Sequence, residues 1–520
     1  MSDDTASSLA KRERNVRTLL HGASDPGFLQ THISWIVLDG EFAYKIKKPV
    51  TLDFLDFASL EMRRHYCEEE LRLNRPWAPD LYLDVVPVTQ DGQRWRIGGD
   101  GRIVEYALRM RRFDQDLRLD RQLELGRLSI EDMRELGEKI GGRHEQAPIV
   151  DPSRRERVLS LTASFMRDNF AALDGQIDAR QLAAQARWTD TQLELHEALF
   201  GARFDAGCFR DCHGDLHLGN LVRLDSGITA FDCIEFSDDL RHIDVQCDVA
   251  FLLIDLVARR RHDLASHFYN RYLERSGDYA GVALLSLFFV YRCLVRAKVA
   301  GIRAQEAQSV PHRELAATEA QFYCDMATRQ IGRRPPVLVV MHGFSGSGKT
   351  WVSGQLMAAL PAIRIRSDVE RRRLHGLGER EASGAGIGEG IYDRSGNRGV
   401  YARMHEYART ILDAGHDVIL DASYLDADER DRALRLADAC GRRAVIVDVT
   451  ASEDVLESRI EKREVAGSDA SEAGLAVLAH QRDAASPLTD AERKLTVSFE
   501  NRDGADVAPL VESIRDANAR

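Results

Sequence analysis

The chain has 520 residues, of which 44% are hydrophobic and 30% charged, and its formal net charge is −12. Such a composition belongs to a soluble globular chain of about two to four folding units, each with a core of its own. The acidic balance excludes a global basic field able to gather nucleic acid or anionic lipid, and leaves only a local basic groove open to that use.

The start, MSDDTASSLAKRERN, is polar and lacks the apolar stretch of a signal peptide, so residues 1–25 read as a lead-in with one short helix. Residues 31–50, THISWIVLDGEFAYKIKKPV, read as two strands joined at Asp39-Gly40, a dipeptide favoured in tight hairpins. The second strand carries Lys45, Lys47 and Lys48. A helix is expected over 59–74, where Cys67, Glu70, Leu71 and Asn74 share a face at i, i+3, i+4 and i+7. A strand near 81–88, a hairpin at Asp91-Gly92 and a strand at 103–109 complete a small sheet with one helix against it. Helices interrupted by loops fill 129–199. Then 209–224, FRDCHGDLHLGNLVRL, leads into a short strand at 228–234, and helices return over 244–299. The most apolar run, 282–291, is about half the length of a membrane span and reads as a buried helix. Eight cysteines without a repeated C-x-x-C suit reduced thiols and a cytoplasmic protein. Cys208, Cys212, His213 and His217 crowd together, but not at the spacing of a zinc knuckle.

His213-x-Asp215-x-x-x-x-Asn220, followed by Phe231-Asp232, is a phosphoryl-transfer signature. A kinase needs a carboxylate near the acceptor hydroxyl and oxygen ligands for Mg²⁺ at the phosphates. Asp215 suits the first role, Asn220 and Asp232 the second. Lys45 and Glu70 suit the ion pair that holds the α/β-phosphates, with Lys47, Glu68 and Glu69 as rivals. The stretch HGDLHLGN resembles the catalytic loop of the aminoglycoside phosphotransferase and choline kinase family, whose fold is bilobal, α+β and protein-kinase-like. The resemblance spans about residues 25–325. It implies that Asp215 is the catalytic carboxylate, His213 a structural residue of the loop, and Asn220 and Asp232 the metal ligands. It also implies that Asp248, in DVAFLLIDL, braces the loop. One feature departs from the family: the first hairpin has no G-x-G-x-x-G, so what covers the phosphates is open.

A charged, helical stretch ending in RRPP at 333–336 marks a boundary. Beyond it, strands at 337–341, 362–366, 417–421, 444–449 and 495–499 alternate with helices, which predicts a parallel sheet covered on both faces. The segment 380–394 is glycine-rich and reads as mobile. The first strand runs into Gly343-Phe344-Ser345-Gly346-Ser347-Gly348-Lys349-Thr350, a complete phosphate-binding loop set between strand and helix. Its backbone N–H groups can surround the β-phosphate, Lys349 adds a cation for the β/γ oxygens, and the Thr350 hydroxyl can hold Mg²⁺.

Asp368, at the carboxyl end of the second strand, lies where open α/β sheets bind ligands and can accept the proton of an attacking hydroxyl. Arg371 and Arg372 can hold an anionic acceptor. Asp421, in DVILDAS, either orders Mg²⁺ or caps its strand, and Arg430 either serves the site or is a solvated charge. Arg459 and Arg463, at i and i+4, suit a lid that brings guanidinium groups to the transferring phosphoryl. The other reading is a solvated face in which Glu457, Glu461 and Glu464 pair with them. Residues 335–500 are similar to the P-loop kinase group, an AAA-type ATP-binding domain, that includes polynucleotide kinase, zeta toxins and gluconate kinase. SDVERR matches its acceptor motif and SRIEKREVAGSDAS its lid. This resemblance implies transfer of the ATP γ-phosphoryl to a hydroxyl, with Asp368 as base and Lys349 and the lid arginines as charge stabilisers.

The sequence therefore predicts a lead-in (1–25), a kinase-like domain (26–325, lobes about 26–110 and 111–325), a linker (326–336) and a P-loop NTPase domain (337–520). The last is expected as three α/β/α layers around a parallel sheet. ATP and Mg²⁺ are the expected cofactors, and no membrane partner is expected. The expected acceptors are a small hydroxylated metabolite at the first site and a sugar, nucleotide or 5′-hydroxyl nucleic acid at the second. Two other classes stay open. One is a regulatory ATPase that switches a degenerate kinase-like domain. The other is a nucleic-acid end-processing kinase, for which the run Arg371-Arg372-Arg373 is the best support.

Overall fold

The hairpin expected at Asp39-Gly40 forms between Ser34–Asp39 and Phe42–Lys47, with Gly40 at φ 56°. The computed structural model describes residues 3–20, 27–52, 55–92, 94–377, 394–466, 474–502 and 504–519. They gather into two compact units. One holds Met1–Asp132, Arg143–Phe165 and Glu197–Asp255, the other Met133–Gly142, Met166–His196 and Leu256–Arg520.

In the first unit the hairpin register sets Trp35 opposite Ile46 and Ile36 opposite Lys45. A strand's period of two then sends Trp35, Val37, Tyr44 and Ile46 to one face, where they form a core with Val16, Val88, Trp95 and Ala107. Lys45 and Lys47 fall on the other face, with Leu108 as the register partner of Lys45. The antiparallel sheet has six strands, in the order Gly27–Gln30, Ser34–Asp39, Phe42–Lys47, Arg102–Arg111, Tyr82–Asp91 and Arg94–Ile97. The short edge strand Gly27–Gln30 has half its residues exposed, so it carries no apolar alternation to read.

The helix Leu60–Asn74 starts at Ser59, whose hydroxyl accepts from Met62 N at 3.1 Å. Its buried Arg63 ties it to the sheet through a bidentate pair with Glu105, at 2.7 and 2.8 Å. The strand expected over 228–234 stops at Ala230 and pairs with Leu221–Leu224, because Asp232 turns the backbone to φ 62°.

The second unit carries the five expected strands, all parallel, in the order Ile363–Arg366, Val418–Asp421, Val337–His342, Arg443–Thr450 and Thr496–Glu500. Val337 to Met341 are buried almost completely, as in a strand covered on both faces. Val337, Val339 and Met341 pack with Val352, Leu356, Ile419, Val447 and Ile514. Tyr279–Glu306 is, among the described residues, the one helix long and apolar enough to cross a membrane, and most of its apolar window is buried inside the protein. Nearly all of the glycine-rich 380–394 and residues 467–473 of the expected lid lie outside the described residues.

Arg430 is not a solvated charge. It is fully buried on the helix Ala427–Ala439, bound to Glu492 at 2.7 Å and to the carbonyls of Tyr424 and Leu425 at 3.0 and 3.1 Å. Arg430→Ala leaves Glu492 and two carbonyls without this partner and is expected to destabilise the unit by about 3–5 kcal/mol. A denaturant midpoint equal to wild type would refute that.

Burial, with the Arg432 charge, lowers His405 from 6.5 to about 4. Its neutral ring lies 3.1 Å from the Tyr424 hydroxyl. Because the folded value is below the unfolded one, the unfolded chain binds more protons as pH falls through 6.5 towards 4. Stability is therefore full above that window and lost progressively within it. Melting curves at pH 7, 6 and 5 should show the loss, and His405→Gln should shrink its slope. An identical slope would mean that His405 does not titrate there.

Candidate functional site

The first cluster lies where the hairpin face meets the helix Leu60–Asn74. Lys45 Nζ bonds Glu70 Oε1 at 2.7 Å and Asp232 Oδ1 at 2.5 Å. Glu70 is the buried carboxylate of its helix, whereas Glu68 is exposed and Glu69 pairs with Arg72. Burial alone would depress the Lys45 ammonium, but Asp232 and Glu70 reverse this and hold it well above its usual range. Partial desolvation pushes the half-exposed Asp232 carboxyl up, yet Lys45 wins and holds it below the usual carboxylate value. The Asp232 backbone is fixed by Tyr82, whose hydroxyl accepts from Asp232 N at 2.9 Å, and by the Cys233 N–H donating to Asn74 Oδ1 at 2.9 Å.

Asp215 and Asn220 meet in the loop between Phe209–Asp211 and Leu221–Leu224. Asn220 Nδ2 donates to Asp215 Oδ2 at 2.9 Å and to the Asp215 carbonyl at 3.0 Å. That commits its amide NH₂ and leaves the amide oxygen as an acceptor. Asp248 takes the His213 N–H at 3.1 Å and the Gly214 N–H at 3.0 Å, while His144 Nε2 lies 3.2 Å away. His213 is buried, and burial lowers it to a neutral ring. Its Nδ1 accepts from Asp215 N at 3.3 Å, and its Nε2 lies 2.9 Å from the Phe231 carbonyl. Asp255 accepts from Leu218 N at 3.0 Å. The four crowded Cys and His residues do not form a ligand set. Among the described residues the group in metal-ligand reach is His144, Cys212 and Asp248. There the Cys212 thiol is held protonated by burial, and both Asp248 oxygens bind the loop backbone.

In the second unit, strand Val337–His342 delivers the phosphate loop to the helix Lys349–Ala359. Gly348 caps that helix at φ 86°, and a Cβ there would strike the Asn501 amide. Asn501 Nδ2 donates to the Ser347 carbonyl at 2.8 Å. Gln481 Oε1 accepts from Ser345 N at 2.8 Å, and Lys349 Nζ folds back on the Phe344 carbonyl at 2.7 Å. The Ser347 hydroxyl is buried and has no hydrogen-bond partner among the described residues. Left-handed glycines, a cationic lysine and a helix N-terminus form a cradle that fits a phosphate chain.

Arg366 and Asp421 are register partners, so Asp368, two residues on, reaches the same carboxyl edge of the sheet as Asp421 and the loop. Asp421 Oδ2 accepts from Ser353 Oγ at 2.8 Å, and Arg364 bonds the Thr350 carbonyl at 3.3 Å and Glu274 at 2.9 Å. With the Thr350 hydroxyl, Asp421 offers hard oxygens of the kind Mg²⁺ takes, as do Asn220 and Asp232 in the other unit. Arg459 reaches the Ser347 carbonyl at 3.4 Å and the Asn501 carbonyl at 3.2 Å. Arg463 shares the helix Glu453–Ala466, but its side chain lies outside the described residues. Arg371 and Arg372 are buried, and Arg373 is bound to Glu370 and the Glu274 carbonyl, so this run is not an exposed basic stripe.

Sequence reasoning placed Asn74 on the helix face of Glu70 without a role, and passed over Tyr82, His144, Asp255, Ser353, Gln481 and Asn501. No spacing could have found them: Asn501 and Ser347, for example, are 154 residues apart.

A family described as an AAA domain matches residues 338–488. The "Uncharacterized protein Rv2004c" of Mycobacterium tuberculosis (strain ATCC 25618 / H37Rv) is 31% identical over 472 residues, covering 89% of this chain and 92% of its own. The "Uncharacterized protein Mb2027c" of Mycobacterium bovis matches with the same identity and coverage. Among solved structures, an ethanolamine kinase of Plasmodium vivax is 10% identical at a TM-score of 0.38, covering 63% of this chain and 91% of its own. A gluconokinase from Sinorhizobium meliloti 1021 is 21% identical at a TM-score of 0.25, covering 36% of this chain and 92% of its own.

Proposed function

The chain belongs to the same family as Rv2004c and Mb2027c, and from that footing we propose that it is an ATP-dependent phosphotransferase with two nucleotide sites. A P-loop kinase domain supports a phosphotransferase. The observation that carries the two-site reading is Lys45, bonded at once to Glu70 and Asp232, in a unit that does not contain the phosphate loop.

At the first site Lys45 holds the α/β-phosphates, Asn220 and Asp232 would hold Mg²⁺, and Asp215 takes the proton of an acceptor hydroxyl on a small metabolite. At the second, the loop from Gly343 to Thr350 binds the phosphates and Lys349 stabilises the charge of the transferring group. Thr350 and Asp421 would hold Mg²⁺. Asp368 takes the acceptor proton, and Arg459 and Arg463 serve the lid, whereas Arg371 and Arg372 are buried and have no part in holding the acceptor. Bound Mg²⁺ supplies neutralisation of the charge that develops on the phosphate oxygens. A sugar or nucleotide acceptor suits this second site better than a nucleic acid, because the Arg371-Arg372-Arg373 run is buried or paired.

Calorimetry with Mg²⁺ and a non-hydrolysable ATP analogue should find two nucleotides per chain. A screen of hydroxylated metabolites with γ-labelled ATP should find phosphorylated product. One nucleotide per chain would sink the two-site reading, and phosphate release without any labelled acceptor would favour the regulatory ATPase.

A further inference from the structure

Two residues beside the first site have no part in the reading above. Lys47 lies two positions after Lys45 on the same strand, so the strand's pleat puts both ammonium groups on one face. Its side chain is fully buried, bonded to Glu70 Oε2 at 2.5 Å and in short contact with Glu235 Oε1. The Glu235 side chain is 3% exposed. Glu70 is therefore gripped at both oxygens, Oε1 by Lys45 and Oε2 by Lys47. The residues of this cluster, Lys45, Lys47, Glu70, Asp232 and Glu235, all lie in the first unit.

The two lysines differ in what they can reach. Lys47 is sealed in, whereas the other anion on Lys45 is Asp232, whose side chain is 44% exposed. Only the Lys45 end of the cluster opens to a ligand. Its charges, two ammonium groups against the carboxylates of Glu70, Asp232 and Glu235, leave one negative charge in excess, which suits the arrival of a cation-bound phosphate chain at Asp232. A sealed ion pair adds little stability over a well-packed apolar pair, so its effect is to select one arrangement of the groups it touches. Burial depresses the Lys47 ammonium, but Glu235 and Glu70 outweigh that and keep it charged.

We infer that Lys47 and Glu235 are a positioning pair that locks Glu70 in place, so that Lys45 can turn to a nucleotide phosphate without Glu70 swinging away. Lys47 stays with Glu70 and Glu235 while Lys45 exchanges part of its bond to Asp232 for the ligand. The site is then assembled before nucleotide arrives. This rests on the first site binding nucleotide at all.

The test uses the full chain, a non-hydrolysable ATP analogue, Mg²⁺ and calorimetry. The step that survives in Lys349→Ala protein identifies the first site. The double variant Lys47→Met with Glu235→Gln removes both charges at nearly constant volume, and Glu70 loses its bond at Oε2 but keeps Lys45 at Oε1. It is expected to melt within a few degrees of wild type and to bind at the first site about tenfold more weakly, roughly 1.4 kcal/mol, with the other step unchanged. Glu235→Gln alone should weaken the same step less, and it decides the matter if the double variant does not fold. Both variants folded, with wild-type affinity at both steps, would overturn the inference and leave the two-site reading standing. A single step in the wild-type protein would instead overturn the two-site reading, and this inference with it where that step is lost in Lys349→Ala protein.

Discussion

Lys349→Ala protein is expected to lose phosphoryl transfer at the phosphate loop by roughly 10²–10³-fold, the scale on which one preorganised charge-stabilising donor counts. The lysine is held in the structure by the Phe344 carbonyl at 2.7 Å. It is not part of the apolar core under the loop, where Val352 and Leu356 pack with Val339 and Val447. Truncating it should therefore leave the melting temperature near wild type. The loop keeps its shape through the Asn501 bond to the Ser347 carbonyl and the left-handed Gly348. Nucleotide affinity at this site should fall, because the β/γ oxygens lose a cation that backbone N–H groups replace only in part. The measurement is ATP turnover beside a thermal melt. Should the folded variant keep all ATP consumption, the activity belongs to the other unit and the assignment of Lys349 is wrong.

Asp215→Ala is expected to abolish product at the first site by about 10²–10⁴-fold, the usual worth of a positioned general base, and to leave the phosphate-loop site untouched. The carboxylate also anchors Asn220, which would keep its 3.0 Å bond to the Asp215 carbonyl but lose the one to Oδ2. Asp215→Asn separates these contributions, since it keeps the shape and removes the base. If both variants lose the labelled product while Asn220 still binds Mg²⁺–nucleotide, proton acceptance is the missing step. Unchanged product in Asp215→Ala would mean that the upstream unit is degenerate and that the label came from the phosphate loop. Combining Asp215→Ala with Lys349→Ala should silence the chain.

Much of this site was legible because its parts are local. The phosphate loop is eight consecutive residues between a run of β-branched apolar residues and a helix, so its chemistry and geometry are written together. His213, Asp215 and Asn220 likewise sit within one short loop, and the Asp39-Gly40 hairpin fixes which strand carries Lys45. The choice among Glu68, Glu69 and Glu70 was harder. Three acidic residues in a row on a helix point in different directions, and only packing against the sheet shows which one is buried. Arg430 was ambiguous for a related reason: a charge on a helix reads as solvated until its partner, Glu492, folds in from 62 residues away.

By itself the sequence determined the strand–loop–helix phosphate motif, the catalytic-loop signature, the two sheet types and their order along the chain, because each depends on spacing within a few residues. Only the tertiary structure decided which lysine faces the opening and which is sealed against Glu235, and that Asn501 and Gln481 hold the loop backbone. It alone also turned the arginine run after Asp368 inward. These contacts join residues far apart in the chain, and burial, which chooses among equally charged neighbours, is a property of the packed fold that no local pattern encodes.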